Sequence, residues 1–468
     1  MTTLIVLGLN LFGYAVLLLA EAVRPRPRYD IRRWATVFPL GMTAVAAFST
    51  GVAIDVAGLR LLGRLLLVVA VGAWPLTSVA LLTDRTTFAR NRALSGIRAS
   101  SAPCRCAGAR PPGGSVGDMS SLEVAIVGYG LAGAVFHAPL IAAEPRMRVA
   151  AVVTGSAERA EQARRAHDGV RVFPDADALF ADLRGIGLVV VATPNRTHAP
   201  LAARALAAGI PTVVDKPFAV TVAEAEELVA RAERAGVVLS VFQNRRWDGD
   251  FRTIRALVED GRLGAVRRFE SRFERWRPVS KGGWREVGSV AEGAGLLFDL
   301  GSHLVDQALT LFGPARSVYG ELDRRRPGVQ TDDDVFLALT HASGVRSHLW
   351  MSAVTPQLGP RFRVLGADAG YVGYGLDPQE EALRAGRDPR ADEWGAVESE
   401  RWGLLGAEPD LSPYPTLAGD YPAFYAEMAA TILDGGPVPV DPRDAVAALR
   451  VLEAARRSSA SGTPVPLT

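Results

Sequence analysis

The stretch LEVAIVGYGLAGAVFHAPLI, residues 122–141, decides the fold. An apolar run over 122–127 reads as a strand, Gly128-Tyr129-Gly130-Leu131-Ala132-Gly133 follows, and apolar residues then continue at helical spacing. In such a strand–turn–helix the first glycine permits the tight turn, the second lets the backbone approach a pyrophosphate, and the third lets helix and strand pack closely. Unpaired N–H groups and the helix dipole then hold the anion. In a chain with 47 glycines a lone G-x-G-x-x-G means little, so the reading rests on the strand before it and the helix after it.

Downstream, apolar runs at 147–153, 170–173, 188–192, 211–215 and 237–242 alternate with helical stretches such as 197–208 and 221–235. Six strands joined by right-handed crossovers predict an α/β domain, a doubly wound parallel Rossmann sheet over 119–243. At the end of the second strand, Val153-Thr154-Gly155-Ser156-Ala157-Glu158-Arg159 has no acid placed for the ribose 2′-hydroxyl of NAD. The hydroxyls of Thr154 and Ser156 and the guanidinium of Arg159 suit a 2′-phosphate, so NADP is favoured over NAD. Arg159 reads equally well as a solvated helix residue.

Ligands of open α/β sheets bind at the carboxyl ends of the strands. Thr193-Pro194-Asn195-Arg196-Thr197-His198 stands at the end of the fourth strand, Asp215-Lys216-Pro217 at the end of the fifth, and Gln243-Asn244-Arg245 at the end of the sixth. Of 52 basic residues only Lys216 and Lys281 are lysines. A lysine kept at a strand end, where arginine has replaced it almost everywhere else, points to a compact ammonium that hydrogen-bonds a substrate oxygen. Lys281, in VSKGGW, has no such setting and reads as a surface residue.

Farther on, Gly295-x-Leu297-x-Asp299-x-Gly301-x-His303-x-x-Asp306 opens a helix. The ordered set of motifs from Met119 onward resembles the glucose-fructose oxidoreductase, inositol dehydrogenase and MocA family. The resemblance implies that Lys216, Asp299 and His303 line the nicotinamide, that His198 lies near the cofactor, and that the second domain forms a homodimer or homotetramer. Asp215 departs from the glutamate usual before that lysine. Residues 374–386, Trp394-Gly395 and Gly419-Asp420-Tyr421 are similar to the NADP-dependent scyllo-inositol dehydrogenases within the family.

Asp299 and His303 stand four apart, so on a regular helix they share a face and the carboxylate can orient the imidazole. In that reading His303 accepts a hydroxyl proton while hydride leaves the same carbon, and Lys216 fixes the oxygen. Asn244 and Trp284 join these three as candidate substrate contacts. Trp247 and Tyr371 read as polyol contacts or as core. His137, His167, His341 and His348 read as structural or surface residues, and no metal site is expected.

Alternating apolar and polar residues at 264–277, 315–322, 334–341, 345–352 and 361–366 predict an α+β domain over 244–468. Its sheet should be open and mostly antiparallel, with helices on one face. An amphipathic helix over 442–458 should pack back on the first domain.

A mean hydropathy of +0.14 is high for a soluble enzyme, and the excess comes from residues 1–83. Apolar stretches at 4–20, 34–53 and 65–82 each approach the roughly 20 residues that span a bilayer. Arginines at 24, 26, 28, 32 and 33, and again at 85, 90, 92 and 98, place the enzyme part in the cytoplasm. Phe38-Pro39-Leu40-Gly41 and its surroundings resemble the last helices of the tellurite-resistance and dicarboxylate transporter family, related to slow anion channels. So short a piece reads as a membrane tether, a fusion or a misassigned start ahead of an enzyme beginning near Met119, not as a transporter. Residues 84–118, rich in Arg, Ser, Gly and Pro, read as a flexible linker. Its Cys104 and Cys106, the only cysteines, have neither the partners of a zinc site nor a disulfide framework.

A net charge of +2 with 22% charged residues gives no argument for nucleic acid. The expected function is an NAD(P)-dependent oxidoreductase acting on a cyclitol or sugar. An NAD-dependent glycosidase of the same fold and a membrane-tethered NADP-binding module without catalysis are the alternatives.

Overall fold

The computed structural model describes residues 121–467, together with Leu61 and Arg64. The candidate membrane spans, the linker and both cysteines lie outside the described residues. Among the described residues no helix is long and apolar enough to cross a membrane. The chain divides into two units, Met1–Gly114 and Ser115–Thr468, and the second carries every element below.

Its first layer is a six-stranded sheet: β1 (Leu122–Val127), β2 (Met147–Val153), β3 (Arg171–Phe173), β4 (Ile186–Val191), β5 (Thr212–Asp215) and β6 (Leu239–Phe242). The order is β3-β2-β1-β4-β5-β6 and every pairing is parallel, which is the doubly wound arrangement the sequence predicts. Leu188, Val189, Val190 and Val191 are fully buried in succession, because helices cover both faces of a parallel sheet. Each such side chain contributes about 1.5–3 kcal/mol on burial. Those helices are α1 (Ala138–Ala143), α2 (Ala157–Ala166), α3 (Ala176–Ala181), α4 (His198–Ala207) and α5 (Val222–Ala235). A π-helical turn, Ala132–His137, precedes α1, and Thr221 and Glu224 form a capping box at the start of α5.

After α6 (Gly249–Glu259) come β7 (Arg268–Glu274), α7 (Ser302–Phe312), β8 (Ala315–Asp323), β9 (Asp334–His341), β10 (Arg346–Ser352), β11 (Phe362–Leu365) and β12 (Gly370–Gly373). Then follow α8 (Gln379–Arg384), β13 (Gly403–Ala407), β14 (Asp410–Tyr414), α9 (Tyr421–Asp434), α10 (Pro442–Ser461) and β15 (Val465–Pro466). The sheet runs β14-β13-β12-β11-β7-β10-β9-β8-β15, antiparallel except for the parallel β7–β10 pair. Strand alternation sends Phe269, Phe273, Leu337, Leu339, Leu349 and Met351 into the core. On the opposite face Arg272 lies 3.9 Å over the Trp350 ring, and Phe336 packs 5.1 Å from the same ring.

Helix α10 packs against both sheets. Glu453 accepts from the Val222 N–H (2.9 Å) and Arg450 pairs with Glu226 (2.6 Å) on one side, while Ser458 accepts from the Gly320 N–H (3.0 Å) on the other. The largely buried pair Arg246–Asp306 (2.6 Å), extended to Asp444 (3.0 Å), joins the 3-10 turn after β6 to α7 and α10 and explains the last aspartate of the G-x-L-x-D motif.

The glycine loop is sterically committed. Gly128 holds φ +99°, and a Cβ there would lie 2.6 Å from the Ala192 carbonyl oxygen and 2.9 Å from Thr193 Cγ2. A methyl on Gly133 would press into the Gly128 carbonyl oxygen and lie 3.2 Å from Ile126 Cγ2. Overpacking of this kind costs about 1–3 kcal/mol, so Gly133→Ala is expected to lower the melting temperature by several degrees. In the same thermal melt Gly130→Ala, whose Cβ meets only Arg159 Nη1 at 3.9 Å, should match the wild type. An unshifted Gly133→Ala melt contradicts this packing.

Candidate active site

Three chain segments converge on one cavity. Lys216 follows the last residue of β5, Asp299 lies in a π-helical turn over Leu297–Gly301, and His303 opens α7. Lys216 Nζ donates to the Asp299 carbonyl oxygen (2.7 Å) and to Asp299 Oδ1 (3.0 Å). Arg285 Nε lies 3.3 Å from the same Oδ1. Asp299 therefore orients Lys216, and the expected support of His303 by Asp299 is absent: buried Nδ1 of His303 has no hydrogen-bond partner. The Lys216 ammonium and the Arg285 guanidinium take up the Asp299 carboxylate, which leaves His303 Nδ1 without it. Nε2 is then the ring nitrogen open to the cavity, since His303 lines it.

The charges act in one direction. Burial pushes the Asp299 carboxyl up, but Lys216 and then Arg285 hold it well below the usual carboxylate range. Burial and then the positive charges of Lys216 and Arg245 push His303 well below the usual imidazole value, so it is neutral near pH 7. His137, fully buried behind Asp215, is lowered to about 4 by burial and bonds Tyr425 Oη through Nδ1 (2.7 Å).

The cavity, about 450 Å³, is walled on one side by Leu131 and Ala132 of the glycine loop and on the other by Asn244, Arg245, Asp299 and His303. Asp215 lines it as well, and its Oδ1 accepts from the Lys216 N–H (2.8 Å). Arg245 is buried against Phe273 and pairs with Asp248 (3.3 Å) and Glu380 (2.7 Å), so it braces the wall. Gln243 is buried and its Oε1 has no partner.

A dinucleotide fits the groove leading here. The glycines leave the space a Cβ would fill, and Ser156 caps α2 by accepting from the Arg159 N–H (3.4 Å). The Ser156 N–H donates to Thr154 Oγ1 (3.3 Å), and the Arg159 guanidinium lies beside Gly130. Tyr129 is buried, with its hydroxyl on His167 Nε2 (3.0 Å).

Several of the expected cofactor contacts also carry internal hydrogen bonds. Asn195 donates to the Gly293 carbonyl (2.9 Å), Thr193 Oγ1 accepts from Thr197 (2.7 Å), and the Pro194 carbonyl accepts from the Thr197 N–H (2.8 Å). His198 is buried, with Nδ1 at the Pro217 carbonyl and Nε2 at the Thr193 carbonyl, both 2.8 Å. These residues brace the strand ends. Trp284 lies in an adjoining cavity of about 200 Å³ that shares Asp299 with the main one, and Tyr371 is core. Lys281, read from sequence as an ordinary surface residue, is exposed but lines both cavities. Sequence reasoning missed Phe136, Arg275, Arg277, Arg285, Glu380 and Arg384, all on the cavity wall. The available signal was Arg275 and Arg277 two apart past a strand end, a spacing that puts both on one face.

Comparison with known proteins agrees with this fold. Residues 122–243 match the model of the oxidoreductase family's NAD-binding Rossmann fold, and residues 255–467 match that of its C-terminal alpha/beta domain. Residues 1–82 match the voltage-dependent anion channel model. The scyllo-inositol 2-dehydrogenase (NADP(+)) IolW of Bacillus subtilis is 35% identical over 350 residues, covering 73% of this chain and 94% of that protein. The uncharacterized oxidoreductase YdgJ of Escherichia coli is 41% identical over 71% of this chain and 95% of its own length. The solved structure of yvaA from Bacillus subtilis superposes with a TM-score of 0.71 at 34% identity, covering 75% of this chain and 99% of that one. The chain belongs to the Gfo/Idh/MocA oxidoreductase family. It is an enzyme whose Rossmann domain binds a nicotinamide dinucleotide.

Because burial and then the neighbouring cations lower His303, its ring resonances in the free enzyme should still be at neutral-imidazole shifts at pH 6.5, where an ordinary imidazole is half protonated. Nuclear magnetic resonance of histidine-labelled protein, assigned with His303→Ala, reads this directly. An imidazolium shift at pH 6.5 would contradict the electrostatic account.

Proposed function

We propose that the protein exchanges a hydride between NADP and a secondary alcohol or ketone of a cyclitol or sugar, with scyllo-inositol-like compounds the nearest match. The observation that carries this is the meeting of Lys216, Asp299 and His303 in one cavity whose facing wall is the dinucleotide loop. The bound nicotinamide supplies the two-electron hydride chemistry. The ammonium of Lys216, held by Asp299, donates a hydrogen bond to the reacting oxygen and stabilises negative charge there. Neutral His303 takes the hydroxyl proton at Nε2 in oxidation and returns it in reduction. Asn244 is placed to bond a neighbouring hydroxyl.

NADP is preferred over NAD in this reading because Thr154, Ser156 and Arg159 stand at the tip of β2 without an acid, and IolW is named for NADP(+). We assign residues 119–243 to the dinucleotide and 244–468 to substrate binding and oligomerisation. The half-buried Trp350, Phe336 and Arg272 face would join copies into a homodimer or homotetramer. Residues 1–83, from their hydropathy and the anion-channel match, are assigned to a membrane attachment on the cytoplasmic side, with 84–118 as linker.

Lys216→Met and His303→Ala are expected to bind NADPH nearly as the wild type does, by fluorescence titration, while turnover of inositols falls roughly a hundredfold. Wild-type NADPH should bind more tightly than NADH. Unimpaired turnover in either variant would falsify the assigned roles.

A further inference from the structure

The cavity holds more positive charge than a neutral polyol or the pair of catalytic groups needs. Seven cationic side chains line it against three carboxylates, Asp215, Asp299 and Glu380. Asp299 is already taken by Lys216 and Arg285, and Glu380 by Arg245 and Arg384. Among the described residues Arg275, Arg277 and Lys281 have no carboxylate partner. Arg275 and Arg277 leave β7 two apart, with Trp276 between them exposed on the other side, so both guanidiniums enter the cavity. Burial and then the charge of Arg277 lower the Arg275 guanidinium's affinity for its proton. Arg275 is half-buried and Arg277 exposed, so water screens part of their repulsion, and an anion held between them would remove the rest.

The cofactor's pyrophosphate loop and the Arg159 locus belong to the first sheet, whereas Arg275 and Arg277 extend from the second, across the cavity they share with Leu131 and Ala132. The cleft also continues past them into a cavity of about 510 Å³ that shares Arg245, Arg275, Arg277, Glu380 and Arg384 and adds Arg272, Arg361 and Arg401 beside Glu274, Asp377 and Glu381.

Resting on the hydride-transfer reading above, we propose that the substrate is an anionic polyol, a sugar or cyclitol bearing a carboxylate or phosphate. Arg275 and Arg277 clamp that acid group while the carbinol carbon faces Lys216 and His303. Guanidinium forks bind either oxyanion with paired charge-assisted hydrogen bonds, and a cationic cleft raises the encounter rate with anions.

The test uses the full chain with NADP and matched series: neutral hexoses and inositols, their uronic and aldonic acids, and their monophosphates. The expected result is a kcat/KM at least roughly tenfold higher for one anionic series than for its neutral parent, shrinking as salt rises from 0.05 to 0.5 M. The preferred series tells carboxylate from phosphate. Arg275→Met and Arg277→Met should each lower the anionic-to-neutral ratio by roughly tenfold, and Arg277→Lys by less. Variants are compared only where melting shows them folded; the wild-type salt dependence stands without them. Equal kcat/KM for neutral and anionic series with no salt dependence overturns the proposal while leaving the hydride-transfer reading intact. Absence of turnover with every series overturns both.

Discussion

One ammonium group joins the two halves of the enzyme at the place where the chemistry is assigned. Lys216, at the end of a strand in the parallel sheet, hydrogen-bonds both the side chain and the backbone carbonyl of Asp299 in the second sheet's domain. Both partners are only slightly accessible, with side-chain exposures of 16% and 22%, so water and salt screen this pair less than the surface pairs on α5. Fixing Asp299 also fixes the start of α7, and with it His303. The α10 contacts and the Arg246–Asp306 pair hold the same interface from behind.

Two causes separate the roles of the two titrating groups. Burial and then the surrounding cations lower the imidazole, while the same cations lower the Asp299 carboxyl against its burial, which keeps the carboxylate charged and the imidazole neutral. A neutral imidazole beside a fixed ammonium is a base ready to accept a proton near neutral pH. The same cations outnumber the acids they face in the cavity, and the proposed preference for an anionic substrate rests on that excess.

The parallel sheet was legible because its strands are buried on both faces and carry continuous apolar runs, as in Leu188 to Val191, and because Gly128 and Gly133 stand where the backbone admits no side chain. The strands β12, β13 and β14 were not legible. Gly370, Gly373, Gly403 and Gly406 break the apolar pattern, and β14 is mostly exposed, so no alternation marks them. The residues Lys216, Asp299 and His303 picked from their motifs line one cavity, but Asp299 bonds Lys216 and not His303 as expected. Four residues apart implies a shared face, but that spacing says nothing of Lys216 and Arg285, which come from elsewhere in the chain and take the carboxylate. The arginines were missed for a different reason. Arg275, Arg285 and Arg384 are far apart in sequence and become one charged wall only when β7, the 281–287 loop and α8 meet.

The account's central claim is that Asp299 acts through Lys216. A double-mutant cycle with Lys216→Met and Asp299→Ala, read as kcat/KM for polyol oxidation, tests it most directly. The account predicts strong coupling, with the double variant no slower than Lys216→Met alone and an interaction energy of about 1–3 kcal/mol. Additive losses would contradict it and return Asp299 to an independent role.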